Sequence, residues 1–209
     1  MKPIKIIECP RDAMQGIKTF IPTARKVAYI QSLLRVGFDT IDFGSFVSPK
    51  AIPQMQDTAA VLAQLDLSQT KSKLLAIIAN TQGAIAASLH QPIQYLGFPF
   101  SISENFQMRN THKTIAESLV TLQEILEIAD KSNKEVVAYL SMGFGNPYGD
   151  PWSMEIVGNW TEKLSNMGVK ILSLSDTVGS STPDVIQYLF SHLIPKYPKI
   201  EFGAHLHTT

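Results

Sequence analysis

The sequence predicts an α/β fold of parallel strands, a (β/α)₈ barrel that is incomplete in this chain. Short apolar runs alternate with longer segments of helical period, and no linker interrupts them. Polar residues follow nearly every predicted strand, and barrel proteins build their functional sites at those strand ends. We therefore expect residues 1–209 to form a single barrel domain that lacks its C-terminal part.

The composition limits the classes of partner that this chain is expected to bind. Of its 209 residues, 44% are hydrophobic and 17% are charged, with no net charge. A neutral balance gives no electrostatic reason to expect nucleic acid or an anionic membrane as a partner. The longest apolar runs are too short to cross a bilayer, and the first residues do not resemble a signal peptide. A single cysteine, Cys9, excludes an internal disulfide and fits a reducing cytosol, so we expect a cytoplasmic protein.

The predicted strands are short apolar segments that end at polar residues or turn residues. In chain order they cover residues 5–8, 40–43, 74–78, 93–98, 135–140, 171–175 and 200–205.

The predicted helices occupy the connections between the strands. Apolar residues at helical spacing indicate helices over 22–36, 82–89 and 111–132. Three further helices are expected to begin at Ser48, Asp150 and Thr182, because each of these residues precedes a proline at the first helical position. Thr114 and Glu117 have the spacing of a capping box.

Two architectures fit this alternation, an open doubly wound sheet and a barrel. No Gly-x-Gly-x-x-Gly follows the first strand, so the dinucleotide-binding form of the open sheet lacks its main support. The polar strand ends favour the barrel. A barrel of eight βα units needs about 250 residues, so we expect a truncated chain without its final βα unit. A partner that covers the gap is the alternative.

A candidate metal site combines both ends of the chain. His205 and His207 lie two apart on a predicted strand and so share a face, and Asp12 follows the first strand. A barrel makes its first and late strands neighbours. One carboxylate and two imidazoles suit Mg²⁺, Mn²⁺, Zn²⁺ or Fe²⁺. The plainer interpretation of the histidines is a polar strand end.

Further candidate site residues lie at the same strand ends. Arg11 supplies a fixed positive charge that suits a carboxylate, a thioester carbonyl or an enolate, although a loop salt bridge with Asp12 is the plainer interpretation. Gln15 and Lys18 are expected on the following loop, within reach of a polar substrate. Asp42 and Asp176 are candidate proton carriers or orienting groups, and an ordinary turn is the alternative for Asp176.

Two other features receive a structural interpretation. The glycine-rich segment 143–149 lacks the lysine of a phosphate-binding loop, so we expect a mobile rim loop. Cys9 is expected to be a small buried hydrophobe.

Four sequence blocks resemble those of the 3-hydroxy-3-methylglutaryl-CoA lyase family. Residues 10–15, Pro-Arg-Asp-Ala-Met-Gln, resemble that family's Pro-Arg-Asp-Gly-Leu-Gln signature. Segments 45–50, 173–179 and 203–207 are similar to its later blocks and occur in the same order. The wider group is the DRE-TIM metallolyases, which includes isopropylmalate and homocitrate synthases. Segment 45–50 favours the lyase branch.

The resemblance implies a (β/α)₈ barrel that cleaves 3-hydroxy-3-methylglutaryl-CoA to acetyl-CoA and acetoacetate. It implies Mg²⁺ or Mn²⁺ held by Asp12, His205 and His207, with His205 also moving a proton. Arg11 would stabilise the enolate, and Asp42 stands where the family has glutamate.

The resemblance further implies that Asp176 orients the substrate or a metal-bound water. Arg11, Gln15, Lys18 and Ser45 would bind the acyl-CoA substrate. The family's catalytic cysteine loop and an asparagine metal ligand fall beyond position 209, so we expect the 209-residue chain alone to have little or no activity. The oligomeric state stays open, a homodimer being one arrangement.

Three other functions remain as alternatives. One is an acyl-CoA Claisen-condensing synthase of the same superfamily. Another is a non-catalytic truncated remnant whose exposed sheet edge serves for association. A non-haem Fe²⁺ oxygenase shares the ligand set, but such sites usually lie on antiparallel barrels.

Overall fold

The computed structural model describes residues 3–207 and places seven strands in one sheet. The strands are β1 (Ile7–Glu8), β2 (Thr40–Ser45), β3 (Lys73–Ile77), β4 (Ile93–Ser101), β5 (Glu135–Ser141), β6 (Ile171–Asp176) and β7 (Glu201–Leu206). They neighbour one another in chain order. An open doubly wound sheet reverses its strand order at a switch point, whereas a barrel does not. The predicted fold class, an incomplete α/β barrel, is confirmed.

Helices fill the connections between these strands. They are α1 (Pro10–Gln15), α2 (Thr23–Leu34), α3 (Thr58–Leu62), α4 (Thr81–Ser88), α5 (Glu104–Thr111), α6 (Ile115–Lys131), α7 (Met154–Asn166) and α8 (Pro183–Lys196), with a 3₁₀ turn at Pro53–Met55. Within residues 3–207, no helix combines the length and apolar character needed to cross a bilayer.

The chain divides into two compact units, and the first comprises Met1–Leu96 with Ser132–Lys134. Its strands are parallel, with Ile41 of β2 opposite Glu8 and Leu74. The register between β2 and β3 shifts between Asp42 and Gly44. Apolar side chains of β2, β3 and the adjoining helices form its buried core.

Gly44 fixes the end of β2 by close packing. A Cβ atom built on Gly44 would lie 2.5 Å from a methyl carbon of Thr58, so only glycine fits. The Thr58 hydroxyl donates to Met55 O at 2.8 Å and accepts from the amide of Ser45 at 3.1 Å. The strand end that carries Asp42 and Ser45 is therefore tightly held.

The second unit comprises Gly97–Lys131 and Glu135–Thr209. Its strands β5, β6 and β7 are parallel, with Leu172 of β6 opposite both Ala138 and Phe202. Leu172 and Leu174 are almost fully buried, as are Val157 of α7 and Leu189 of α8. The helices α7 and α8 thus bury their apolar faces within this unit.

The predicted capping box of Thr114 and Glu117 and the predicted helix start at Thr182 are confirmed. The amide of Thr114 donates to the Glu117 carboxylate at 2.8 Å, and the amide of Glu117 donates to the Thr114 hydroxyl at 3.1 Å. This is the reciprocal pair of a capping box. The Thr182 hydroxyl accepts from the amide of Val185 at 3.4 Å and caps α8.

Two predicted helix starts are wrong. After Ser48 the chain makes a turn, because Pro53 disfavours helical angles at Ile52, which has φ −130° and ψ 78°. Only the 3₁₀ turn and the short α3 follow. The helix predicted from Asp150 begins instead at Met154, with the Ser153 hydroxyl accepting from the amide of Ile156 at 3.2 Å.

The helix predicted over 111–132 begins later than expected, and the two helices α1 and α5 were not predicted at all. His112, with φ 55°, adopts the left-handed conformation and ends α5, so α6 begins only at Ile115. The mostly polar α5 carries no clear apolar stripe. The short α1 replaces part of the loop predicted after the first strand, and it therefore contains Gln15.

Candidate active site

The short helix α1 carries three of the predicted site residues of the first unit. Pro10 occupies its first turn, and the carbonyl of Cys9 accepts from the amide of Asp12 at 3.1 Å. One Nη of Arg11 donates to Asp12 at 2.8 Å and to Oε1 of Gln15 at 2.9 Å. The helix therefore gathers a guanidinium, a carboxylate and a carboxamide within five residues.

The rest of the Arg11 guanidinium faces Asp42 at the end of β2. Nε and the second Nη lie 3.0 and 2.6 Å from the same carboxylate oxygen of Asp42. The side chains are 9% and 0% exposed, respectively. Such a two-point contact fixes the plane of the guanidinium as well as its position. The structure thus brings together Arg11, Asp12, Gln15 and Asp42.

Ser45 and Lys18 are the two other predicted site residues of the first unit, and they differ from each other in burial. Ser45 is buried, and its hydroxyl accepts from the amide of Val47 at 3.2 Å. Lys18 lies on the exposed segment that follows α1. Their predicted role in substrate binding remains a prediction.

Cys9 lies next to the cluster as a free thiol of intermediate exposure. Burial, followed by the negative charge of Asp42, raises the pKa of this thiol from 9.0 to about 12. The thiol therefore stays protonated at neutral pH. Its intermediate exposure differs from the buried position expected for it.

In the second unit, His205 and His207 face each other at the end of β7. Their Nε2 atoms are 3.2 Å apart. Nδ1 of His207 lies 3.1 Å from the carbonyl oxygen of Thr177. Because a carbonyl only accepts, this contact places the proton of neutral His207 on Nδ1, so that the lone pair is on Nε2, the nitrogen that faces His205. Tyr139 meets the His205 ring edge-on, with centroids 5.8 Å apart.

The two imidazoles fit a divalent cation. Adjacent ligands of an octahedral ion at about 2.2 Å are separated by about 3 Å, which matches the 3.2 Å between the two Nε2 atoms. The hydrogen bond to Thr177 is the kind of support that metal-binding histidines commonly have. Asp12 belongs to the first unit, and its part in the metal site stays a prediction.

Asp176 ends β6 and closes the turn that follows. Its carboxylate is 1% exposed and accepts from the amides of Ser180 and Ser181, each at 2.8 Å. Burial acts to raise the pKa of this carboxyl, but the hydrogen bonds from Ser181 and Ser180 outweigh it and hold the pKa below its ordinary value. The turn so closed includes Thr177, the partner of His207.

The glycine-rich segment 143–149 is extensively hydrogen-bonded, contrary to the expected loose rim loop. Asn146 Oδ1 accepts from the amides of Tyr148 and Asp150, and its Nδ2 donates to Asp150 O at 3.0 Å. The carboxylate of Asp150 accepts from the Ser103 hydroxyl and from Asn105. The Asn-Pro-Tyr-Gly-Asp sequence has strong turn composition, which was the available signal.

Sequence reasoning missed the residues that support the candidate site. Tyr139 and Thr177 contact the histidines. Tyr139 lies in no motif, and the resemblance of segment 173–179 gave Thr177 no role. Their role depends on strands β5, β6 and β7 lying side by side. Only the topology supplies that information.

Parallel strands in chain order, with charged and imidazole side chains at their C-terminal ends, define a barrel of enzyme type. The chain belongs to the HMGL-like family, whose model matches residues 4–209. The resemblance deduced from the four sequence blocks is thereby confirmed.

Comparison with known proteins gives the same family. The chain is 32% identical over 200 residues to a hydroxymethylglutaryl-CoA lyase of Bacillus subtilis. The aligned region covers 96% of this chain and 66% of that enzyme. It is 34% identical to the mitochondrial hydroxymethylglutaryl-CoA lyase of Bos taurus, over 100% of this chain and 64% of that protein.

A solved structure extends the likeness to three dimensions. The HMG-CoA lyase of Acinetobacter baumannii in complex with coenzyme A and 3-methylmalate superposes with a TM-score of 0.89 at 28% identity, covering 97% of this chain and 66% of that one. The chain thus spans about two thirds of the length of the relatives that it matches.

Proposed function

We propose that this chain is the larger part of a lyase that cleaves 3-hydroxy-3-methylglutaryl-CoA to acetyl-CoA and acetoacetate. The observation that carries the proposal is the Arg11 guanidinium, held in one orientation by Asp42, Asp12 and Gln15. A preorganised cation stabilises a developing oxyanion without reorganising during the reaction. The hydroxymethylglutaryl-CoA lyases among the relatives support this choice of substrate.

A divalent cation, Mg²⁺ or Mn²⁺, would be held by Asp12, His205 and His207. When bound, it supplies a Lewis acid that lowers the pKa of the substrate's tertiary hydroxyl. The facing Nε2 atoms of the two imidazoles support this part of the proposal.

The proposed reaction is a retro-aldol-type cleavage. The tertiary hydroxyl loses its proton and becomes the ketone of acetoacetate, while the bond between C2 and C3 breaks. The electron pair passes to the acetyl thioester as an enolate, which a proton then converts to acetyl-CoA. Arg11 stabilises the negative charge on the enolate oxygen, and Asp42 keeps Arg11 in place.

Proton transfer and orientation are assigned to residues of the second unit. His205 transfers a proton through Nδ1, the ring nitrogen that does not face His207. Asp176 acts through the turn that it closes, because Thr177 in that turn holds the Nδ1 proton of His207. Asp176 is therefore an orienting residue rather than a proton carrier, since its own lowered pKa keeps it ionised.

Gln15, Lys18 and Ser45 are proposed to bind the substrate together with Arg11. The exposed ammonium of Lys18 suits the anionic groups of an acyl-CoA. Cytoplasmic location, a homodimer and the inactivity of the isolated 209-residue chain remain predictions.

The proposal is tested by incubating the protein, at its full natural length and as residues 1–209, with 3-hydroxy-3-methylglutaryl-CoA and Mn²⁺. Equal release of acetoacetate and acetyl-CoA by the full-length protein supports it. Release of free coenzyme A from acetyl-CoA and a 2-oxo acid, with no cleavage, would assign the chain to the condensing synthases. No turnover in either assay would favour the non-catalytic alternative.

A further inference from the structure

Gln54 is a buried side chain whose carboxamide bonds the backbone of the segment after α1. Its Nε2 donates to the carbonyls of Ile17 at 2.8 Å and Thr19 at 3.0 Å. Its Oε1 accepts from the amide of Ile21 at 2.8 Å. The side chain is 4% exposed, so water is largely excluded from these bonds. One amide thus holds three backbone groups across residues 17–21.

Lys18 lies between the two carbonyls that Gln54 binds. Its own side chain is exposed, while the backbone on either side is fixed. The amide of Ile17 also donates to Met14 O at 3.0 Å, which joins this segment to the helix that carries Arg11 and Asp12. The ammonium of Lys18 is therefore presented from a segment whose ends are both anchored.

A buried ammonium fixes Gln54 in turn. Nζ of Lys26 donates to the backbone carbonyl of Gln54 and to a carboxylate oxygen of Asp57, the latter at 2.6 Å. The Lys26 side chain is 2% exposed, and the Phe20 ring lies over it with its centroid 4.2 Å from Nζ. The Thr23 hydroxyl donates to the other carboxylate oxygen of Asp57 at 2.7 Å.

We infer that Gln54 is a positioning residue for acyl-CoA binding, which holds segment 17–21 so that Lys18 meets the anionic part of the substrate. The inference rests on the proposed function. Simple packing does not require this arrangement, because an apolar side chain of similar length would fill the same space with less desolvation. The hydrogen bonds of the carboxamide additionally fix the position of the backbone of residues 17–21.

The test compares Gln54→Met, which keeps the length and removes the bonds, with Gln64→Met as a matched control. Gln64 is exposed in the turn that follows α3, and its carboxamide donates to Ala60 O of that helix. Gln54→Met is expected to raise KM for the acyl-CoA about tenfold with little change in kcat, because uniform binding is lost. Gln64→Met is expected to change neither constant.

Hydrogen exchange at the amide of Ile21 gives a readout independent of catalysis. Loss of its acceptor on Gln54 is expected to speed exchange by about tenfold or more. In a double-mutant cycle, Gln54→Met should add little to the KM of Lys18→Met, since both changes act through the same ammonium. Fully additive effects on KM, or unchanged exchange at Ile21, would overturn the inference.

Two further measurements keep the outcome decisive. If the wild-type protein shows no lyase activity, the proposed function fails, and the affinity for coenzyme A, measured by calorimetry, replaces KM as the readout. A tenfold loss of this affinity in Gln54→Met still supports the positioning role. An unchanged affinity refutes it. If Gln54→Met does not fold, Gln54→Glu, which keeps the acceptor for Ile21 and loses both donors, is expected to raise KM in the same direction.

Discussion

Arg11 and Asp42 form a buried ion pair, with Nη2 and Nε of the guanidinium 2.6 and 3.0 Å from the same carboxylate oxygen. The pair joins α1 to the end of β2 and leaves the opposite edge of the guanidinium for Asp12 and Gln15. The position of the proposed enolate-stabilising charge therefore depends on a carboxylate that would never need to touch the substrate.

Asp42→Asn is expected to destabilise the protein by about 3 kcal/mol, because it removes the fully buried partner of the Arg11 guanidinium and leaves only the partly exposed Asp12 to offset that charge. Urea unfolding measures this difference. Lys196→Gln, which breaks an exposed pair with Glu162, serves as control and should leave the urea midpoint unchanged. An equally small effect of Asp42→Asn would mean that Arg11 is held by its other contacts.

Asp176 is expected to make stability depend on pH in the acid range. Its pKa in the folded protein lies below the unfolded value, which is about 3.9 for an aspartate. The charged carboxylate therefore stabilises the fold above that pH, and the contribution is lost as pH falls through the lower folded pKa.

The measurement for Asp176 compares the urea midpoints of the wild type and Asp176→Asn between pH 7 and pH 3. The difference in the free energy of unfolding between the two proteins should be largest at pH 7, at about 1–3 kcal/mol for the loss of charge-assisted bonds. It should become smaller towards pH 3. Asp130→Asn, on the exposed face of α6, is the control and should show no such trend. A difference in the free energy of unfolding that does not vary with pH would contradict the lowered pKa of Asp176.

Cys9 is expected to resist alkylation in the folded protein. A pKa raised from 9.0 to about 12 lowers the thiolate fraction at pH 8 by about a thousandfold, and only the thiolate reacts rapidly. Because Cys9 is the only cysteine of the chain, the incorporation of iodoacetamide followed by mass spectrometry reports on it alone. Rapid labelling under native conditions, at the rate seen in guanidinium, would show that the thiol is accessible and ionised.

The periodic parts of the fold were predictable from the sequence, because strand and helix patterns are local. All seven strands lie where the apolar runs place them, and the capping box of Thr114 and Glu117 forms as its spacing indicates. The errors have local causes as well. Pro53 interrupts the helix expected after Ser48, and the left-handed His112 delays the start of the helix expected from residue 111.

The contacts that define the site were not predictable, because they join residues far apart in the chain. The motif that contains Arg11 marks it as a site residue, but not its pairing with Asp42, which depends on β1 and β2 lying side by side. Residues 53–55, Pro-Gln-Met, belong with segment 45–50 to the family resemblance, but that resemblance gave Gln54 no role. Its role emerges only from the three backbone groups around it.

Mn²⁺ is expected to raise the Tm of the wild-type protein, because an ion that binds only the folded state stabilises it by mass action, by about 2.7 kcal/mol at one hundred times Kd. His205→Ala and His207→Ala should each abolish the rise, since each removes one of the two facing Nε2 atoms. His192→Ala is the matched control, because this histidine is exposed on α8 and stacks on Tyr188. A rise of equal size in all four proteins would place the cation elsewhere, and no rise in the wild type would remove the metal from the proposed mechanism.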